Sequence, residues 1–185
     1  MATAFKRTRH GITAVLDESE RDLLTRLFLD VAELLEDGLP DDSDPLVAMV
    51  GIASDATVPD DPAVARLLPV ASTEDDEAAA EFRRFTEIGL RQRKSENLRT
   101  AAATLAADDH VVLDDGTSAA WLTALTDVRL VLAERLEIRT DADAEAIHEL
   151  LEDSDADDED PRAWLAAVYD FLTWLQETLV HALSK

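Results

Sequence analysis

Arg83, Glu87, Arg91 and Lys94 follow one another at spacings of four, four and three residues, so a helix over this stretch stacks them along one side. Glu87 then lies within reach of both arginines. Such a row could do three kinds of chemistry: hold the carboxylate, phosphate or protein partner that fits a guanidinium groove, lie against nucleic acid, or close on itself as an ion-pair network. The surrounding segment EFRRFTEIGLRQRKSENLR, residues 81–99, carries six of the chain's seventeen Lys and Arg. The whole chain has 41 Asp and Glu and a formal net charge of -24. A field of that sign repels polyanions before any local patch can act. The internal network therefore ranks first, the pocket or groove second and nucleic acid third.

Charged residues elsewhere fit the same reading. Arg129 and Arg135 flank an apolar stripe below Trp121, while Asp170, Trp174, Glu177 and His181 form a line on the last helix. If the helices pack side by side, Arg91 or Lys94 pairs with Asp170 or Glu177. Desolvation costs several kcal/mol per buried ion, so a network of this kind sets specificity or lines a cavity more than it stabilises.

Other chemistries lack their residues. Cysteine is absent, which excludes disulfides and thiolate sites, and the four histidines, His10, His110, His148 and His181, have no paired metal-ligand spacing. Asp153, Asp155 and Asp157 hold the first, third and fifth places of a calcium loop. Asp158 stands where the turn needs glycine, and Trp164 where a bidentate carboxylate is required. No phosphate-binding glycine loop and no GxSxG occurs. The expectation is a protein without catalytic residues, metal or cofactor. With no apolar leader and no uncharged span of 18 residues, it is expected to be cytoplasmic and without a membrane contact.

These side chains need helices to position them. The spacing predicts a short hairpin around His10-Gly11, then a helix opened by an Asp17/Glu20 capping box and carrying Leu23, Leu24, Leu27, Phe28, Val31, Leu34 and Leu35. A short helix follows at PAVARLL, and a long helix runs from about 73 to 107, broken or continuous at Gly89. Its apolar residues change sides there. Ala78, Glu81, Phe82, Phe85 and Ile88 share one side before the glycine, and Leu90, Leu98, Ala101 and Leu105 take the opposite side beyond it, about 60° from the charged row. HVVLD, 110–114, is a third strand. Ser118 or Thr117 caps a helix bearing Trp121, Leu125, Val128 and Leu132. A helix from 141 through Leu151 precedes one opened by Pro161, with Trp164, Val168, Phe171, Leu172, Leu175 and Leu179 on its core side. Residues 37–61 hold seven Asp and no Lys or Arg, and 153–160 are almost all acidic, so both are expected as loops, the first holding one short apolar helix. The fold class is thus mainly α, a single-domain helical bundle over 1–185 with one long central helix and a small antiparallel sheet.

DPAVARLLP (61–69), EFRRFTEIGLRQRKSEN (81–97), AWLTALTDVRLVLAERL (120–136) and VYDFLTWLQETLV (168–180), in that order, resemble the blocks of an actinobacterial family catalogued as domain of unknown function number two thousand and seventeen. Thr126 and Ala133 depart from it, where Asn and Gly are expected. The resemblance implies no activity. Members are encoded beside a Clp protease adaptor, which implies a link to proteolysis, and some are described as transcriptional regulators. Its best-matching residues include Arg83, Glu87, Arg91, Lys94, Asn97, Arg129, Arg135, Trp174 and Glu177, so with Asp170 these form the candidate charged site. The combined expectation is a non-enzymatic regulatory or protein-interaction module with a protein partner, a homodimer being one allowed assembly. The alternative is a nucleic-acid-binding regulator using the basic helix 81–99.

Overall fold

The computed structural model of the chain describes residues 2–37, 39, 59–69, 75–106, 109–152 and 160–185. Strands β1 (Lys6–Thr8) and β2 (Gly11–Val15) form an antiparallel hairpin, and β3 (His110–Leu113) pairs antiparallel with β2, giving the order β1-β2-β3. Ile12 faces Leu113 and Val15 faces His110 in that register. Alternation does the rest: Ile12, Ala14, Val111 and Leu113 are buried on one side of the sheet. Gly11 has φ of 120°, and a Cβ there would lie 2.4 Å from the Leu113 carbonyl oxygen, so both the backbone and the close approach of β3 demand glycine.

Six helices complete the described architecture: α1 (Glu18–Glu36), α2 (Pro62–Leu67), α3 (Asp76–Thr104), α4 (Asp115–Arg135), α5 (Asp141–Glu152) and α6 (Pro161–Leu183). Aspartates open most of them. Asp17 and Glu20 make the reciprocal capping box of α1. Asp61, Asp75 and Asp160 accept from backbone amides at the starts of α2, α3 and α6. Helix α4 begins earlier than its Ser/Thr pair suggests. Asp114 is the cap, accepting from Thr117 N at 2.8 Å while Thr117 Oγ1 accepts from Asp114 N at 2.9 Å, so Thr117 serves as the third helical residue of a box. Gly89 lies inside an unbroken α3 of 29 residues, about 43 Å long. The expected acidic loops at 37–61 and 153–160, with the short apolar helix placed in the first, fall mostly outside the described residues.

Helix α4 is packed against α1, α2, α3 and α6, and its apolar residues accordingly spread around the helix instead of forming one stripe. Trp121 is its anchor. It is fully buried, meets Phe5 edge-on at 5.5 Å and Phe28 at 5.4 Å, and donates from Nε1 to Thr104 Oγ1 at 2.8 Å. One indole thereby joins the segment leading into β1, α1, the last residue of α3, and α4. Leu24, Leu98, Leu125, Leu172 and Leu175 fill the same core, and a smaller cluster of Leu136, Ile138, Ile147 and Ala166 seats α5 on α6. Among the described residues no helix is long and apolar enough to cross a membrane.

Because the indole N–H of a fully buried ring has Thr104 as its partner, Thr104→Val is expected to lower the unfolding free energy by about 1–2 kcal/mol, and Thr104→Ser by much less. Chemical denaturation of the three proteins reads this directly, and equal stability of the Val variant would contradict the bond.

Candidate functional site

Helix α3 turns its charged row inward. Arg83 and Arg91 are 7% and 6% exposed. Glu87 lies between them, 3.3 Å from Arg83 Nη1 and 2.8 Å from Arg91 Nη2, with Arg91 Nε donating at 2.9 Å. Arg91 also donates from Nη1 to the Leu35 carbonyl at 3.1 Å. The last turn of α1 has no basic residue of its own, so α3 supplies the positive charge that this negative helix end favours. Two turns beyond Arg91, Arg99 grips Glu36 with two parallel bonds, Nε to Oε1 at 2.8 Å and Nη2 to Oε2 at 2.6 Å, and the Ser95 hydroxyl donates to the same carboxylate. Arg99 first, then Ser95, pulls the Glu36 pKa down to about 2.

The next contact of α3 is with α4. Lys94 Nζ meets Asp127 Oδ1 at 2.5 Å, and Asp127 is 1% exposed with its Oδ2 lacking a hydrogen-bond partner. Burial raises the Asp127 pKa, opposing the pull of Lys94. Thus four of the six cations in 81–99, Arg83, Arg91, Lys94 and Arg99, are held by the protein's own acceptors. Arg84 and Arg93 are exposed, and nine residues apart they point to opposite sides of the helix.

The expected pairing of Arg91 or Lys94 with Asp170 or Glu177 does not occur. Helix α3 packs on α1 and α4, whereas α6 packs on α4, α5 and the sheet, so the acids of α6 belong to another side of the molecule. Asp170 lines a surface hollow with Ala2, Glu20, Phe171 and Trp174, Trp174 stacks on Phe171 at 6.1 Å, and Glu177 is exposed. Arg135 pairs with Asp61 at 2.8 Å at the surface, and Asn97 is half-buried on α3. The ten candidate residues therefore divide among several places instead of forming one site.

Arg129 belongs to a cleft of about 300 Å³ walled by α2, α4, α5 and α6. Its Nη1 donates to Gln176 Oε1 at 2.7 Å, its Nη2 lies 3.4 Å from the Tyr169 hydroxyl, and its Cζ stands 5.2 Å from the Tyr169 ring centre. Gln176 Nε2 in turn donates to Thr126 Oγ1 at 2.9 Å. Arg66 enters from α2, donating from Nη2 to the Ile138 carbonyl at 3.1 Å. That carbonyl is presented by the turn after α4, where Glu137 takes φ of 61°, a conformation more usual for glycine at a helix end.

The family model described as Domain of unknown function (DUF2017) matches residues 2–183. The chain belongs to this family. No curated protein and no solved structure matches it.

In this DUF2017 chain, spacing alone exposed the Arg83–Glu87–Arg91 row, because its members are neighbours on one helix. Glu36, Asp127, Arg66 and Tyr169 had no such signal, since their partners lie 33 or more residues away. Among the described residues no group of three or more His, Asp or Glu could hold a metal.

The Glu36 carboxylate ordinarily titrates at 4.5 and here near 2. A depressed carboxylate stabilises the fold above its unfolded pKa and loses that contribution as the pH falls from 4.5 towards 2. Because the pair is partly exposed, Glu36→Gln should cost about 1 kcal/mol at pH 7, a difference from wild type that shrinks as the pH falls through the folded-state value and vanishes only below it. Unfolding curves of both proteins across that range test it.

Proposed function

We propose that this DUF2017 protein is a non-enzymatic regulatory or interaction module of the cytoplasm that docks a protein partner on the N-terminal half of α3. One observation carries the reading. Phe82 and Phe85 are each 55% exposed, while Arg83 on the same turns is buried and Glu87 is half-buried. This half of α3 buries Ala79 and Ile88 as the amphipathic rule expects, but it also takes Arg83 inward and leaves both aromatic rings outward. Two half-exposed phenylalanines covered by a partner would contribute about 1–1.5 kcal/mol each. Aromatic side chains with arginine are the composition of interface centres, and Arg84 lies between the two rings in sequence. Exposed Pro69 extends the apolar surface beside Phe82 in a shallow hollow.

Charge selects the partner's chemistry. Glu81 shares the side of Phe82 and Phe85, and the chain's net charge is -24, so the surface suits an apolar segment flanked by Lys or Arg. Components of Clp-type proteolysis, which the family resemblance implies, are the first to test. The nucleic-acid alternative has Arg84 and Arg93 to work with, on opposite sides of the helix. Asp127, the acid whose pKa burial raises, is closed between α3 and α4 and lines none of the surface hollows described above, which supports a non-catalytic reading.

A photo-crosslinking side chain at position 82 or 85 is expected to trap a protein of discrete mass in extracts of the native host, whereas the same group at Val112, 53% exposed on β3, should trap none. Phe82→Ser with Phe85→Ser should change the melting free energy by less than about 1 kcal/mol and weaken the trapped partner's binding at least about tenfold. Adducts to nucleic acid, or identical adducts from Val112, would overturn the proposal.

A further inference from the structure

Uncompensated positive charge is unusual in a chain this acidic, and the cleft beside α4 has it. Arg66, Arg129 and Arg139 line that cleft together with Asp141. Glu134 engages two of them, 3.3 Å from Arg66 Nη1 and 3.1 Å from Arg139 Nη2. Arg129 is the third, and its described partners, Gln176 and Tyr169, are neutral. Asp143, which accepts from the Arg139 and Thr140 amides, adds a third carboxylate on the Arg139 side, so the positive charge without an acid partner is that of Arg129. Hydrogen-bonding capacity is left over as well. Arg129 Nε and Arg66 Nη1 are both buried without a hydrogen-bond partner, the latter meeting Glu134 at ion-pair distance but not in hydrogen-bond geometry. Two such donors at one cleft need a reason, since a buried unsatisfied donor costs about 1–3 kcal/mol.

We propose that this cleft binds a small carboxylate anion with a short apolar body, its charge answered by Arg129 and its body lying against Leu130, Ala133, Ile138 and Ala144. Size and charge choose the class. A volume of about 300 Å³ is at the small end of ligand sites, which suits a metabolite-sized acid or a chain terminus. One residual positive charge matches a monoanion; a phosphate dianion would bring two charges against it and face Asp141. The planar guanidinium also fits a planar carboxylate. The hydroxyls of Thr126 and Thr140 are already donated, to the Leu122 carbonyl and to Asp143, so the ligand's charge rests on the arginines. This site is separate from the docking surface on α3, and either can fail without the other.

Tyr169 is the chain's one tyrosine, so 3-fluorotyrosine labelling places a single fluorine resonance at the cleft. Titrating the labelled protein with 4-methylpentanoate at constant ionic strength is expected to move that resonance saturably. The uncharged 4-methylpentanamide and inorganic phosphate should each bind at least about tenfold more weakly, and Arg129→Lys, which keeps the charge but loses the fork, should weaken 4-methylpentanoate by a similar factor. A tripeptide ending in leucine, compared with its C-terminal amide, assigns the source: tighter binding than the free acid points to a peptide terminus, weaker binding to a free metabolite. The proposal is overturned if 4-methylpentanoate gives no saturable shift at tens of millimolar, if the amide or phosphate binds as well, or if folded Arg129→Lys binds undiminished. Should that variant fail to fold, the comparison of acid with amide on the wild-type protein still decides.

Discussion

The contact on which the arrangement of helices depends is the carboxylate of Glu87 held between Arg83 and Arg91. Two arginines are carried into the interior with it, and Arg91 continues to the Leu35 carbonyl at the end of α1. This locks the rotation of α3: its charged side must face α1, the helix it packs against most extensively. Once that rotation is set, Lys94 meets Asp127 on α4, Arg99 meets Glu36, and Phe82 and Phe85 are left on the outside. Buried ion pairs of this type contribute little net stability against an apolar replacement, but they are costly to break one partner at a time. Their effect here is to specify one orientation of a long helix whose aromatic residues would otherwise favour another.

Positive charge is scarce in the chain, and much of it is assigned to helix ends. Arg91 bonds the Leu35 carbonyl of α1, Arg7 of β1 bonds the Ala182 carbonyl of α6 at 3.1 Å, and Arg66 of α2 bonds the Ile138 carbonyl just beyond α4. In each case an arginine from a distant segment supplies the cation that the end of the helix favours. Each bond therefore joins two elements as well as satisfying an orphan carbonyl. The basic appearance of 81–99 follows from this: its cations serve acceptors on α1 and α4 more than any external anion. Arg129 differs, because its hydrogen-bond partners in the cleft, Gln176 and Tyr169, are neutral.

Features that depend on near neighbours were legible in the residues. The Asp17/Glu20 box, the hairpin at Gly11, the strand at 110–113 and the pairing of Glu87 with both arginines all arise within a few positions of one another. Features that depend on which helix faces which were not. Lys94 was matched with the wrong acids because Asp170 and Glu177 form a visible line on α6, whereas Asp127 is one acid within the apolar run of α4. Spacing places Phe82 and Phe85 on one side with Ile88, and apolar periodicity ordinarily marks such a side as packed; Ile88 is buried, but the two buried arginines leave both rings outside. The cap of α4 was misplaced by three or four residues because Asp114 reads as the end of the strand before it, and only the bond to Thr117 shows its second role.

The most direct measurement is the unfolding free energy of Glu87→Leu compared with that of the triple variant Arg83→Met, Glu87→Leu, Arg91→Met. If Glu87 holds two buried arginines, the single change should cost about 3–5 kcal/mol, and the triple variant should recover most of that loss by removing the orphaned charges as well. A single variant within about 0.5 kcal/mol of wild type, the range of ordinary surface substitutions, would contradict an internal role for the charged row.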